Sequence, residues 1–89
     1  SVKDAIAQIE VDHAGGTLSG YKMRSRSQIS VQGAKEAVRT DFVSGSGGDE
    51  GCLWVVSNGS RVSAVQYNVV GQLDSSIRDS VEKSLTVSS

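Results

Sequence analysis

The stretch that decides the fold is CLWVVSNGSRVSAVQYNVV, residues 52–70. Its two arms are rich in β-branched and aromatic residues, which favour strands. Between them stand Asn58 and Gly59, the dipeptide that most strongly predicts a tight turn between paired strands. The sequence therefore predicts a β-hairpin. Because the first arm is apolar on both faces from Leu53 to Val56, we expect it to be a central strand.

The residues that precede this hairpin show two further alternating segments. Residues 5–13 alternate between apolar and polar, which predicts a strand with one wet face. A helix competes at the start, because Val2, Ile6 and Ile9 recur at helical spacing, but the alternation favours the strand. Residues 18–26 alternate again, and the glycine pair between the two segments predicts a second hairpin.

Two helices are predicted from apolar stripes and capping residues. Ser30 is a suitable N-cap, and residues 31–43 place apolar side chains along one helical stripe. A glycine-rich loop follows over residues 44–51, and Asp74 is the predicted cap of a final helix. The apolar face of that final helix holds Ile77, Val81 and Leu85.

This order of elements predicts one domain, residues 1–89, of the α+β class. We expect a two-layer α/β sandwich in which a mainly antiparallel sheet of four to five strands carries two helices on one face. The arrangement is the split βαβ, ferredoxin-like type. Leu, Ile, Val and Phe make up about a quarter of the chain, which is enough apolar material for a folded core.

Charge and cysteine content exclude several classes of protein. Nine basic residues against ten acidic ones give no general attraction to nucleic acid, so no nucleic-acid partner is expected. No apolar run is long enough for a transmembrane segment, while contact with a membrane surface stays open. The single cysteine excludes an internal disulfide and multi-cysteine metal sites. We expect neither a metal nor another cofactor.

A row of basic residues is the first candidate binding feature. Lys22, Arg24 and Arg26 alternate along one predicted strand, so their side chains share a face at spacings of about 6.7 Å. Such a row either binds an anionic partner or protects an edge strand from aggregation. On the hairpin, Trp54 and Tyr67 are candidate contact residues for a partner, although a tryptophan in a central strand also suits the core.

Three polar or reactive residues each allow a structural and a functional interpretation. Cys52 opens an apolar strand and is either a buried thiol or a candidate for an interchain disulfide. It is also a possible nucleophile with His13 as its base, although a surface position is expected for His13. Asn58 begins an Asn-Gly-Ser glycosylation sequence and is equally suited to a turn.

The sequence contains no motif that names a reaction, so we expect a non-enzymatic interaction protein. Its sheet face or charged edge would contact another copy or a target. Ser and Gly together number 26 residues, which is typical of secreted proteins, and small α/β-sandwich toxins resemble it in general shape. We therefore expect a secreted, soluble protein of toxin or effector type. The alternatives are a regulatory ligand-binding or oligomerisation domain of a larger protein, and a small thiol-dependent hydrolase using Cys52 and His13.

Overall fold

The computed structural model describes residues 1–88, so Ser89, the last residue of the predicted domain, lies outside the described residues. The α-helices are α1 (Val2–Asp12) and α2 (Ser75–Ser84), and α1 continues into a short π-helix, His13–Thr17. None of the helices of the described residues is long and apolar enough to cross a membrane. Four strands lie between α1 and α2 in the chain: β1 (Lys22–Gln28), β2 (Glu36–Ser44), β3 (Asp49–Ser57) and β4 (Val62–Asn68). They form one antiparallel sheet in the order β1-β2-β3-β4, which confirms the α+β class.

The hairpin predicted over residues 52–70 is confirmed as the antiparallel pair β3–β4. Its turn spans four residues, in which the Asn58 N–H donates to the Arg61 carbonyl at 3.2 Å. Gly59 has a φ of +98°, a backbone conformation that glycine adopts at no steric cost. β3 is buried from Gly51 to Ser57 and has a neighbouring strand on each side, so it is the central strand that its apolar sequence predicts.

Residues 5–13 were expected to form a strand, and this prediction is wrong: they lie in α1 and at its C-terminal end. The Ser1 hydroxyl caps the helix by accepting the Asp4 N–H at 3.2 Å. Val2 and Ile6, at helical spacing, are buried against the sheet, whereas Val11 of the alternating set is exposed. The hairpin predicted with residues 18–26 is therefore absent, and β1 pairs with β2 instead.

The helix predicted over residues 31–43 is also wrong, because most of that segment is strand β2. β2 lies inside the sheet and has apolar residues on both of its faces. A strand of this kind places apolar residues at irregular intervals, and here those intervals coincide with a helical stripe. Gly33, at a φ of +85°, ends any helical path before β2 begins.

Each helix packs on its own face of the sheet. The α1 face contacts Val2 and Ile6 of α1 and is formed by Val38, Phe42, Leu53 and Val55. The α2 face carries the side chains of the intervening residues and is formed by Ala37, Arg39, Asp41, Cys52, Trp54 and Val56. Arg39 and Trp54 both bind Glu82 of α2. The structure thus places the helices on opposite faces, and helix, four-strand meander, helix replaces the predicted split βαβ order.

Helix α2 has the predicted cap but docks through a different set of residues than expected. Asp74 accepts the Ser76 N–H at 2.8 Å. The predicted apolar face is only partly used, since Ile77 is 46% exposed while Val81 is half-buried. Arg78 and Glu82, which the apolar pattern placed away from the core, instead reach the sheet. Polar contacts therefore attach this helix.

The residues after α2 cross the end of the sheet and add a second small core. Leu85 and Val87 pack against Val31, Ala37 and Val56. The Val87 N–H donates to the Gln32 carbonyl at 2.8 Å. This crossing requires a glycine at position 33, because a Cβ there would overlap the Val87 carbonyl.

A glycine inside β3 generates a test of how tightly the α1 face is packed. A Cβ at position 51 would overlap the Phe42 ring, whereas a Cβ at Gly47 would meet nothing closer than 4.0 Å. We expect Gly51→Ala to lower the free energy of unfolding by about 1–3 kcal/mol, since overpacking a core forces side chains from their preferred rotamers. The control Gly47→Ala should change it by less than about 0.5 kcal/mol. Urea unfolding measures both, and equal values would contradict the close packing of Gly51 on Phe42.

Candidate functional site

A polar network joins α2 to the sheet, with Asp41 at its centre. Asp41 Oδ2 accepts from the Ser25 hydroxyl at 3.1 Å and from Arg39 Nε at 3.3 Å, and Oδ1 accepts from the Cys52 thiol at 3.0 Å. Arg39 continues to Glu82 at 2.9 Å. Burial alone would raise the pKa of Asp41, but the Cys52 hydrogen bond and the Arg39 charge hold that pKa below its ordinary value. Asp41 therefore stays ionised and anchors the network.

Cys52 is the sulfur member of this network and is an inert group in the folded chain. Only 1% of the Cys52 surface is exposed to solvent. Burial, followed by the hydrogen bond to Asp41 and its charge, raises the pKa of the Cys52 thiol to about 12. The thiolate is the form that attacks and oxidises, so Cys52 is held in its unreactive form. Its position agrees with the buried-thiol interpretation, because an interchain disulfide would need Cys52 to leave the interior.

His13 lies on the other side of the sheet from Cys52. Cys52 belongs to the α2 face, whereas His13 follows α1 and packs near Tyr21 and Phe42, with ring centroids 5.1 and 6.2 Å away. Its Nε2 lies 2.8 Å from Gln66 Oε1. The surface position expected for His13 is wrong, since it is 6% exposed. The sheet separates the two residues, so they do not form the nucleophile and base of the hydrolase alternative.

The basic row of β1 is split by an irregularity in the strand. The pairing of β1 with β2 shifts register between Met23 and Ser25, where the extra residue of a bulge turns the following side chains over. Arg24 reaches Glu50 at 2.6 Å, whereas Arg26 reaches Glu10 of α1 at 2.5 Å. The expected common face is therefore wrong for Arg24 and Arg26, and a carboxylate already neutralises each of them.

The remaining candidate residues serve the hairpin itself. Trp54 is fully buried, and its indole N–H donates to Glu82 at 3.0 Å, so it belongs to the core. Tyr67 is half-buried on β4, opposite Cys52. Asn58 Oδ1 accepts the N–H groups of Ser60 and Arg61, and its Nδ2 donates to the Ser88 carbonyl at 3.0 Å. Whether Asn58 carries a glycan stays a prediction.

The outer edge of β4 is a feature that the site residues predicted from the sequence did not identify. Within residues 1–88, β4 pairs only with β3, so its other edge is open. Val62, Val65 and Val70, in β4 or just beyond it, are 40%, 42% and 95% exposed. Residues 62–73 contain no charged side chain. That charge-free run is the signal that could have identified the edge from the sequence.

The hydrogen-bond pattern shows which main-chain groups of β4 point outwards. Asn58 pairs with Arg61 through a bond of 3.2 Å, and the Val69 N–H donates to the Glu50 carbonyl at 3.0 Å. Hydrogen-bonded and non-hydrogen-bonded pairs alternate along an antiparallel ladder, so Ser63, Val65 and Tyr67 bond to β3. The N–H and C=O groups that point outwards belong to the intervening residues, Val62, Ala64, Gln66 and Asn68.

A groove of about 190 Å³ borders this edge on the α2 face. Trp54 and Val56 form its floor, Ser63 and Val65 of β4 form one wall, and residues 85–88 form the other. Residues 85–88 border the groove, and the bridge that Thr86 forms is to Gln32. Within residues 1–88, no cluster of three or more His, Cys, Asp or Glu side chains is placed to hold a metal ion. The open edge and its groove are the best candidate site.

The raised pKa of Cys52 predicts slow modification of the folded protein. The change from 9.0 to about 12 lowers the thiolate fraction at pH 8 by about a thousandfold. We expect iodoacetamide to alkylate native Cys52 at least about a hundredfold more slowly than the chain in urea. In a folded Val62→Cys variant, the new thiol should react rapidly and serve as the internal control. Equal rates at positions 52 and 62 would show that Cys52 is accessible.

The lowered pKa of Asp41 predicts a loss of stability in acid. A carboxyl group whose folded pKa lies below its ordinary value of about 3.9 stabilises the fold above that pH, and this contribution is lost as the pH falls through the folded pKa. We expect Asp41→Asn to be less stable at pH 7 and to lose less stability than the wild type between pH 5 and pH 2. Urea unfolding across this range measures both.

The control for that experiment is Asp12→Asn, which removes one exposed carboxylate outside the network and so matches the change in net charge. The same flattening of the pH dependence in both variants would assign the acid loss to net charge. Flattening in the Asp41 variant alone would assign it to the network.

Comparison with protein-family models, curated proteins and solved structures finds no match for this chain. No relative therefore supplies an activity, a partner or a site.

Proposed function

We propose that the chain is a small binding protein that joins another polypeptide by adding a strand to the open edge of β4. The observation that carries this proposal is the row of outward N–H and C=O groups at Val62, Ala64, Gln66 and Asn68, next to an open groove. An extended segment recognised in this way gains affinity from main-chain hydrogen bonds and specificity from alternate side chains. On the α2 face, the alternate side chains of an added strand would lie beside Ser63 and Val65, which line the groove.

The other surfaces considered from the sequence are less suited to binding. The charged edge of β1 has Arg24 and Arg26 already paired with Glu50 and Glu10. Both sheet faces carry a helix over their centres. Protein edges that avoid pairing carry charges or bulges, and β1 has both. β4 has no charged residue, so it is the edge that remains available.

Binding without catalysis agrees with the separation of Cys52 from His13 by the sheet and with the protonated state of the thiol. The same open edge would serve an oligomerisation domain of a larger protein, which is the alternative expected from the sequence. The secreted, toxin-like or effector role stays a prediction from composition.

The proposal is tested by selecting peptides of twelve random residues on immobilised protein at low density. We expect the selected peptides to bind the wild type and to lose about tenfold or more in affinity against Ala64→Pro. Proline removes the outward N–H of position 64 and leaves the bonds to β3 in place, and edge strands tolerate it there. The matched control is Gln28→Pro on the opposite edge of the sheet, which should keep full affinity.

A second measurement needs no substitution. Bound peptide should slow hydrogen exchange at the amides of Val62, Ala64, Gln66 and Asn68 while leaving the amides of β1 unchanged. Peptides that bind equally to both proline variants and protect no β4 amide would overturn the proposal. So would a library that yields no binder for a chain that is monomeric at the density used.

A further inference from the structure

The two edge strands, β1 and β4, differ in how readily each could pair with the same strand of a second copy of the chain. β1 carries Lys22, Arg24 and Arg26 and contains a register shift, both of which oppose pairing with another strand. β4, residues Val62–Asn68, has neither a charge nor a register shift in its pairing with β3. An antiparallel pair of two β4 strands would therefore bring no like charges together.

One register of such a pair satisfies every outward main-chain group of β4. If Val62 of one protomer lies opposite Asn68 of its partner, Ala64 lies opposite the partner's Gln66. All four of these residues have N–H and C=O groups that point outwards, and residues directly opposite each other in hydrogen-bonded pairs exchange both bonds. Val65, at the centre of β4, then lies on the two-fold axis opposite itself. A shift of the pairing in either direction leaves outward groups of the strand ends without partners.

The same register places complementary side chains together on the α2 face. Val65, which is 42% exposed, meets Val65 of the partner as a non-hydrogen-bonded pair, the closer of the two pair types. Tyr67 of one protomer lies opposite Ser63 of its partner, and Ser63 is a wall of the groove. The tyrosine would therefore extend over the groove that its partner leaves open. This one contact would cover both the Val65 side chain and the groove.

Because the β1 edge is protected from pairing, association through β4 ends at two copies. Pairing of β4 with the β1 edge of another copy would be head-to-tail and would continue into a fibre. The bulge of β1 opposes that contact, and pairing would also take the charged side chains of β1 partly out of water. A two-fold pair through β4 uses the unprotected edge of each copy and leaves only protected edges outside.

We propose that the partner of β4 is a second copy of this chain, and that the two copies form a two-fold dimer with one continuous eight-stranded antiparallel sheet, with Val65 on the axis. This inference rests on the proposed function, because it names the occupant of the same edge. It goes further by assigning a register.

The register is tested by cross-linking. Val65→Cys places two thiols across the axis with Cα atoms about 4.5 Å apart, within the range of about 4.4–6.8 Å that a disulfide spans. The control is Val62→Cys, an equally exposed position on the same strand, at 40%. In the proposed register its two copies are six residues apart, about 20 Å, and cannot join. Native Cys52 stays in place because it is buried.

We expect mild oxidation of the folded protein to give a disulfide-linked dimer with Val65→Cys and none with Val62→Cys. Sedimentation equilibrium of the unmodified chain should show a concentration-dependent monomer–dimer equilibrium. Val65→Lys and Val65→Glu should each weaken it by about tenfold or more, because like charges oppose each other on the axis. A mixture of the two variants should restore a heterodimer, which also shows that both variants are folded.

Two results would overturn this inference. One is a monomer at every concentration together with no cross-link at position 65. The other is equal cross-linking at positions 62 and 65. If the peptide experiment still shows dependence on β4, the proposed function stands and its partner is a different polypeptide. If neither peptide nor second copy uses β4, both fail.

Discussion

The burial of β3 on both of its faces is the constraint on which the rest of the structure depends. Leu53 and Val55 point towards α1, whereas Cys52, Trp54 and Val56 point towards α2 and the C-terminal segment. A strand of this kind cannot lie at an edge or under a single layer, because one of its faces would then expose apolar side chains to water. It requires a strand on each side and a covering element above and below. The remaining elements supply these four neighbours.

The two covering elements are attached by different kinds of interaction. Helix α1 buries Val2 and Ile6 in the larger core, and Glu10 ties its end to Tyr21 and Arg26. Burial, followed by the Glu10 hydrogen bond, raises the pKa of Tyr21, so its hydroxyl remains a donor. Helix α2 has no fully buried residue and is held by the network around Asp41 and Glu82. Apolar burial depends little on geometry, whereas hydrogen bonds to charged groups lose their strength when a partner moves.

Local signals predicted the elements that local interactions determine. The Asn-Gly turn, the apolar first arm of the hairpin and the Asp74 cap each act within a few residues, and the structure contains all three. The sequence did not predict β2, because its apolar pattern is mixed and fits both a helix and a strand. Its pairing with β1 and β3 makes it a strand, and the sequence does not show that pairing. The faces to which the Arg24 and Arg26 side chains point depend on a bulge that no sequence feature signals. The open edge of β4 depends on strand order, although the charge-free run of residues 62–73 marks it.

The contact between the indole N–H of Trp54 and Glu82 has a spectroscopic consequence. Trp54 is the only tryptophan, it is fully buried, and α2 supplies its hydrogen-bond acceptor. Departure of α2 would admit water to the indole while β3 remained paired in the sheet. The emission maximum of the native chain therefore reports the docking of one helix, whereas circular dichroism in the far ultraviolet reports the whole fold. A difference between these two signals along a denaturation curve would give the free energy with which α2 alone is held.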